Sequence, residues 1–451
     1  MSQVEREFDI IVYGASGFTG TLVAKYALKH LSEDKVALAG RNLRKLEALR
    51  QSLDSKCKIF SVDSSDTSGL VALARRTKVL LNCAGPFSLS GLNVVRSCIQ
   101  GGADYVDITG EPNFIDQLGI PYSEGNDVFS SAVEAGVLVI PACGFDSVPA
   151  DLGVLFSLKH VSNLLEKHAH EVATPTAESL VSIECLIHFI GQSTLSQGSL
   201  HGVSAGTFYT ILESLKDMAS YRRRKSQRFA QSSVANETHL QENRPVPIKP
   251  RLHYMKRGEL EGYALPLQSS DPLVVRATAR QLGRQNPQSA KIARYCHYVL
   301  LDSRTALLRL SFQAMTVFAL SKAGRAGRRI LKYWKPDGYG PDEEVRKHTR
   351  AEVHFFAETL VSLVESNRQA RVRVHAICNT IEMYEATAVL AVETARCLIV
   401  ARPALREKAG CFTCGAVLGD ELLSRLLHTQ SESQDAAIKF NIAEQEFLVI
   451  K

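Results

Sequence analysis

The 451-residue chain has no run of about 18 uncharged apolar residues, the length a helix needs to cross a bilayer. Its opening, MSQVEREFDI, carries three acids in nine residues and lacks an apolar h-region, so no secretory leader is expected. Ten cysteines are sparse for this length and lie mostly in apolar segments such as LLNCAGP and SIECLIHF, which reads as buried reduced thiols, not a disulfide framework. Cys411 and Cys414 form one CxxC, in GCFTCG. A structural zinc site would need a second CxxC or an HxxxH, and neither exists, so no metal is expected. The arginine run 222–224 has no interleaved aromatics, which argues against nucleic acid as a partner. There is no internal repeat. A cytoplasmic or cytosol-facing protein is the expectation.

What is present is an ordinary globular composition, 45% hydrophobic and 22% charged, with length for two or three cores. The net charge of +6 is unevenly placed. Residues 1–150 hold 14 Lys+Arg and 17 Asp+Glu, a net of −3, so the remainder carries +9. The later surplus suits anionic ligands, a lipid surface or simply a solvated face.

From residue 8 to about 150, β-rich runs alternate with helical patterns. Strands are expected at Phe8 to Tyr13, Lys35 to Ala39, Lys58 to Val62, Val79 to Cys83, Tyr105 to Ile108 and Val137 to Ile140. Between them lie amphipathic stretches such as NLRKLEALRQSL, with Leu43, Leu46 and Leu49 at helical spacing. This alternation implies right-handed βαβ crossovers and an α/β, Rossmann-type, doubly wound parallel sheet over 1–150.

The rhythm then changes. ESLVSIECLIHFI alternates as a half-buried strand, and 191–206 is a small-residue loop leading to a helix near Thr207. The polar, basic segment 222–250, with prolines at 245, 247 and 250, is expected to be an exposed, flexible insertion. AEVHFFAETLVSLVE and QARVRVHAICN read as paired strands, and EATAVLAVETARCLIVA as a helix with a small-residue face. Segment 298–332 is apolar and then basic. Asp302, Arg304 and Arg309 make bilayer insertion costly, roughly 2.5–3.5 kcal/mol each near a helix centre. Two readings stand: a buried helix, or an amphipathic helix lying on a lipid surface with its basic flank toward anionic head groups.

The glycine turn in YGASGFTG has a specific use. After a strand ending at Tyr13, a tight turn at Gly14 and a helix opening near Gly17 point free N–H groups and a positive dipole end at a pyrophosphate. The cradle is Gly14, Ser16, Gly17, Phe18, Thr19 and Gly20. Gly17 admits the phosphate, and Gly20 allows helix and strand to pack closely. At the end of the second strand, where an NAD enzyme places an acid for the ribose 2′-OH, this chain has Gly40-Arg41-Asn42. Arg41 pairs with a 2′-phosphate, so NADP(H) is favoured over NAD(H). Asp63 suits the adenine amino group, and Cys83, Gly85 and Pro86 in LNCAGPF bring backbone to the switch-point crevice.

YGASGFTG, LAGRN, NCAGPF, GGADYVDITGEP and PACGFDSVPADLG, taken together, resemble the saccharopine dehydrogenase-like oxidoreductases and the related bacterial trans-acting enoyl reductases. The resemblance continues through GELEGYALPLQSSDPLVVRAT and GCFTCGAVLGDELLSRL, so it covers most of the chain. Cys414 stands where that family usually has proline, which makes the CxxC a local substitution. The resemblance implies a second α/β domain on a mixed sheet over 151–380, serving substrate binding or dimerisation, and a late helix, 384–403, returning to the first domain within 381–451. It also implies association with lipid droplets or membranes and a lipid-linked substrate in lipid or glycolipid metabolism.

Hydride transfer belongs to the nicotinamide, and the protein supplies alignment and a proton. Glu111, after the fifth strand, and Asp146, after the sixth, are the catalytic candidates at the strand ends. The alternative is that both cap the helices that follow them. Ser204, Gly206 and Thr207 open a helix toward the same crevice, and His188 and His201 are further proton carriers. Tyr221 and Lys225 match a YxxxK spacing but lie outside the nucleotide domain. Two functions stand: an NADP(H)-dependent reductase of a hydrophobic enoyl, imine or carbonyl compound, or a non-catalytic dinucleotide-binding protein of a lipid surface, with homodimerisation open in either.

Overall fold

The structure is a computed structural model, and it describes residues 6–450 apart from 121–124, 174–178, 213–245, 268, 286–290, 337, 365–367, 406 and 433–435. Six apolar runs of the first third form strands at Phe8–Tyr13 (β1), Val36–Gly40 (β2), Lys58–Ser61 (β3), Thr77–Asn82 (β4), Asp104–Asp107 (β5) and Leu138–Ile140 (β6). The intervening helices are Phe18–His30 (α1), Leu43–Ser52 (α2), Thr67–Ala74 (α3), Phe87–Gly101 (α4), Pro112–Gln117 (α5) and Asp127–Ala135 (α6). All the strand pairings are parallel, in the order β3-β2-β1-β4-β5-β6. Helices on both faces explain why β1, β2 and β4 are almost continuously buried. The stripe expected on α2 is narrower than its spacing suggested: Leu46 and Leu49 are buried, while Leu43, the first helical residue after the Asn42 cap, faces solvent.

Helix α7 (Val148–Lys167) leads out of this sheet into a second one. There follow Leu180–Ile190 (β7), a helix described over 205–212 (α8), His253–Arg257 (β8), Leu260–Pro266 (β9), Asp271–Gln285 (α9) and Lys291–Leu301 (β10). Next come Arg304–Lys322 (α10), Gly324–Trp334 (α11), Glu343–Lys347 (α12), Arg350–Ser362 (β11) and Gln369–Ile381 (β12). Met383–Ala401 (α13), Gly410–Cys411 (β13), Cys414–Glu432 (α14) and Ile438–Ile450 (β14) complete the order. The second sheet runs β14-β12-β11-β7-β10-β9-β8 and is mixed, with β7 and β10 parallel and its other pairings antiparallel. Strands β11 and β12 pair as the alternation implied, burying every second residue.

The C-terminal segment ties the two sheets together. Strand β13 adds to β6 at the edge of the parallel sheet, whereas β14 pairs with β12 in the mixed one. Helix α13 is buried along most of its length and joins one hydrophobic core that includes side chains of both sheets. Its C-cap Arg402 clasps the Asp104 carboxylate of β5 at 2.7 Å. Glu393, mid-helix, accepts from the Tyr26 hydroxyl of α1 and pairs with Arg396.

Segment 298–332 departs from the buried-helix reading. Tyr298–Leu301 close β10, and α10 begins only at Arg304, buried at Ala306 and Val317 alone. Leu308, Phe312, Met315 and Phe318 face outward. No described helix is long and apolar enough to cross a membrane. The segment 222–250 lies outside the described residues as far as 245.

Candidate dinucleotide and substrate crevice

In the strand order of the parallel sheet, β1 is flanked by β2 and β4, so the winding of successive strands reverses between β1 and β4, the place where a doubly wound sheet forms a crevice beyond its carboxyl ends. The turn there is fixed by close approach. Gly14 has φ +80°, and a Cβ on it would lie 2.7 Å from the Ala84 nitrogen of the β4 loop. A Cβ at Gly20 would lie 2.2 Å from the Gly14 carbonyl oxygen, so α1 begins pressed onto its own strand. Gly17 is exposed with only the Gly14 oxygen, at 3.4 Å, near its absent side chain. Among the described residues no side chain caps the start of α1. The first-turn N–H groups of Phe18 and Thr19, beside Ser16, therefore point into an open cradle at a positive dipole end. Bare backbone donors and room at Gly17 fit a dinucleotide pyrophosphate.

Arg41 is exposed just past β2, and its neighbour Asn42 is committed elsewhere, accepting from the Lys45 N–H at 3.1 Å to cap α2. Asp63 sits two residues beyond β3, exposed, accepting from the Ser65 hydroxyl at 2.7 Å and N–H at 2.9 Å. Those bonds hold its pKa below the ordinary carboxylate value. Cys83 donates its N–H to the Tyr13 carbonyl at 2.8 Å, which lays the Cys83, Gly85 and Pro86 loop beside Gly14.

Glu111 is buried, and both its oxygens are engaged. The Phe87 and Ser88 N–H groups donate to them at 2.7 and 2.8 Å, and the Thr210 hydroxyl of α8 approaches at 3.4 Å. Glu111 thus caps α4, whose own cap residue, Pro86, has no side-chain bond to offer, and not the following α5. Asp146 does not cap α7 either: Ser147 holds the cap position, and its hydroxyl meets Ser270 at 3.1 Å. The Asp146 carboxylate faces Gly110, where a Cβ would lie 3.1 Å from its Oδ2. Lost hydration, then repulsion from Asp271, push its pKa up to about 7.

Behind it lie two further buried carboxylates, each pushed up to about 7 chiefly by burial. Asp151 accepts from the Thr278 hydroxyl and the Gly415 N–H, both at 2.9 Å, joining α7, α9 and α14. Asp271 accepts from Ser269 and lies 3.9 Å from Nε2 of His297, an imidazole that burial keeps neutral, with its pKa down to about 3. Sequence reasoning passed over these residues, although SSDP, 269–272, has the form of a helix start.

The second half supplies the opposite wall. Ser204 Oγ accepts from the Thr207 N–H at 3.3 Å, capping α8, with Gly206 in its first turn. The Tyr384 hydroxyl accepts from the Ser204 N–H at 2.6 Å and donates to Thr207 Oγ1 at 3.1 Å, while its ring meets Phe18 edge-on at 5.2 Å. Tyr384 was not anticipated; its signal was a lone aromatic hydroxyl at the start of a small-residue helix. His188 is taken up by Asp302 at 3.0 Å, and His201 packs edge-on against Trp334. Tyr221, Lys225 and the arginine run 222–224 lie outside the described residues. Cys411 and Cys414 are buried free thiols, and the described residues contain no group of three or more metal-binding side chains.

A doubly wound parallel sheet with this glycine cradle, joined to a second mixed sheet, has the architecture of a dinucleotide-binding protein. Residues 10–140 match the family model for the saccharopine dehydrogenase NADP binding domain. Across 454 residues the chain is 28% identical to the mouse saccharopine dehydrogenase-like oxidoreductase, covering 94% of this chain and 96% of that one. It is 27% identical to the trans-acting enoyl reductase of Mycobacterium ulcerans over 95% of this chain and 98% of that one. It is 31% identical to a lipid droplet localized protein of Caenorhabditis elegans over 61% of each. In fold it is similar to yeast saccharopine dehydrogenase (L-Glu forming), with a TM-score of 0.53 at 12% identity, covering 97% of this chain and all of that one. The chain is a homologue of the saccharopine dehydrogenase-like oxidoreductases and of the trans-acting enoyl reductases, and an NAD(P)-dependent oxidoreductase by class. The match over residues 10–140 supports a nicotinamide dinucleotide as its cofactor.

Proposed function

We propose that the protein is an NADP(H)-dependent reductase that transfers hydride to a hydrophobic or lipid-linked enoyl, imine or carbonyl compound, working at a lipid surface. The observation that carries this reading is the strand end of β2, where Arg41 stands free of Asn42's capping role at the position of a ribose-binding acid. The bound nucleotide supplies hydride. The chain's own part is to cradle the pyrophosphate at Gly14, Ser16, Gly17, Phe18, Thr19 and Gly20, with Arg41 on the 2′-phosphate and Asp63 toward the adenine. Cys83, Gly85 and Pro86 line the crevice, and Glu111 positions them by holding the start of α4.

Asp146 is the proton donor in this reading. A carboxyl with a pKa of about 7 is substantially protonated at neutral pH and gives its proton to the carbon, nitrogen or oxygen that hydride addition leaves negative. The name of the mycobacterial relative supports an enoyl substrate, and that of the worm protein a lipid surface. A homodimer is the assembly to look for by light scattering.

The test begins with titration of the full chain with NADPH and NADH, followed by nicotinamide fluorescence. Tighter NADPH binding is expected, and binding of neither nucleotide overturns the reading. Acceptors of the three classes are then screened by NADPH oxidation. On one that turns over, Asp146→Asn should lose about 100-fold or more in kcat. Wild-type rate should fall as pH rises above about 7, where the acid form is lost. An unchanged rate in the variant removes Asp146 from the mechanism.

A further inference from the structure

Between Arg304 and Lys335 the chain has eight cations and no acid, more charge than the whole protein's net of +6. All of these cations except Lys335 are exposed. The charge shares two consecutive helices with the largest group of exposed apolar side chains among the described residues. On α10, Leu308, Phe312, Met315 and Phe318 are 57–72% exposed. At about 100° per residue the first three fall within roughly 60° of one another, opposite the buried Ala306 and Val317. On α11, Arg325, Arg328, Arg329 and Lys332 recur at i, i+3, i+4 and i+7 and so form one cationic row, away from the buried Gly327 and Leu331. Tyr333, at 91% exposure, and Ile330 lie outside that row.

A solvated face has no use for four large apolar side chains in a stripe, and the unopposed cations beside them select an anionic surface. Apolar stripe and unopposed cations together complement one occupant, a membrane or droplet surface containing anionic phospholipid. We infer that the α10–α11 pair is the lipid-docking face of this protein, and that it delivers a bilayer-resident substrate to the dinucleotide crevice.

The second half of that statement rests on what the helices are attached to. Val317 and Leu331 pack with Val203, Phe208 and Leu212, so the pair is seated on α8. At the end of α11, Lys335 is buried and donates to the His201 and Val203 carbonyls at 3.0 and 2.7 Å, just before the Ser204 cap. The next turn returns to the nucleotide loop: Tyr339 accepts from the Ala205 N–H at 2.9 Å, and Gly340 lies so close to Phe18 that a Cβ would be 2.2 Å from its ring. The docking face and the pyrophosphate cradle are therefore joined by a dozen residues of directly packed chain, with α8 and its Thr210 contact to Glu111 between them. This inference rests on the proposed hydrophobic substrate, but its lipid-binding half stands on the surface alone.

The test is flotation of the full chain with vesicles of phosphatidylcholine alone and of phosphatidylcholine with phosphatidylserine, with NADPH titration as a separate readout. Wild-type protein is expected to float with the anionic vesicles. Arg328→Gln with Arg329→Gln should weaken that partition about thirtyfold, at about 1 kcal/mol for each cation near the surface. Phe312→Ser with Met315→Ser should release the protein as well. Both pairs lie in exposed positions and should leave NADPH affinity as in wild type, which shows that the variants are folded. Absence of wild-type binding to anionic vesicles overturns the proposal, as does a wild-type dimer that Phe312→Ser with Met315→Ser dissociates, because a second copy would then be the occupant. Vesicle binding without NADPH binding would refute the reductase reading while leaving the docking face intact.

Discussion

Replacing Arg41 by aspartate tests the cofactor choice at one atom group. Arg41 is exposed just past β2, its side chain makes no hydrogen bond or ion pair among the described residues beyond a weak attraction to the exposed Asp63, and the α2 cap belongs to Asn42. The fold should therefore be indifferent to the change. Two unit charges about 4 Å apart interact by roughly 1 kcal/mol in water and roughly 4 at an effective dielectric near 20. An exposed arginine belongs near the lower end, about 1–1.5 kcal/mol of attraction to the 2′-phosphate. Reversal removes that attraction and adds repulsion of similar size. The expected loss for NADPH is therefore about 2–3 kcal/mol, roughly 30- to 150-fold in Kd. NADH has no 2′-phosphate and should lose much less than tenfold. Fluorescence titration of both nucleotides against both proteins gives four constants, and their double ratio isolates the phosphate. The difference should shrink as ionic strength rises, because exposed pairs are screened. Equal losses for the two nucleotides, or no loss for NADPH, would refute the assignment of Arg41 to the 2′-phosphate.

Gly20→Ala places a methyl 2.2 Å from the Gly14 carbonyl oxygen, so either α1 moves or the turn opens. NADPH and NADH affinity should fall together by more than tenfold, and retention of both would show that the cradle is not where the pyrophosphate sits. Asp271→Asn addresses the buried acids. A carboxyl whose folded pKa is raised to about 7 is held in its protonated form, so the stability it contributes is full at low pH, below the unfolded value, and is lost as pH rises through 7. Each such proton changes stability by about 1.4 kcal/mol per pH unit within that window. The variant should lose less stability than wild type between pH 5 and 7 in thermal melts (roughly the window between the two pKa values); parallel melting curves would mean that Asp271 does not titrate there.

Much of the nucleotide half was legible because its signals are local. A run of apolar β-formers such as FDIIVY, a Gly14 that only a tight turn explains, and an Asn42 placed to cap α2 each act within a few residues, so spacing alone located β1 to β6 within one or two positions. The second half showed its alternation at β7, β11 and β12 for the same reason. Residue exposure was harder to read. Leu43 and Leu46 carry the same side chain three positions apart, yet one faces water and the other the core, and the apolar α10 lies on the outside.

The roles of the acids depended on tertiary structure. Glu111 and Asp146 both stand before helices, and both invited the same capping interpretation. Glu111 instead reaches back to α4, because β5 lies beside β4, and Asp146 is left facing Gly110, with its pKa raised by lost hydration and by Asp271 from a segment more than a hundred residues away. The glycine turn, the parallel sheet that carries it and the absence of an acid at Arg41 could be read along the chain, since each depends on near neighbours. Which carboxyl has its pKa raised, where Tyr384 meets Ser204 and Phe18 and which side of α10 faces outward follow from the folded packing, because hydration and electrostatic field at a side chain are set by whatever distant segments pack around it.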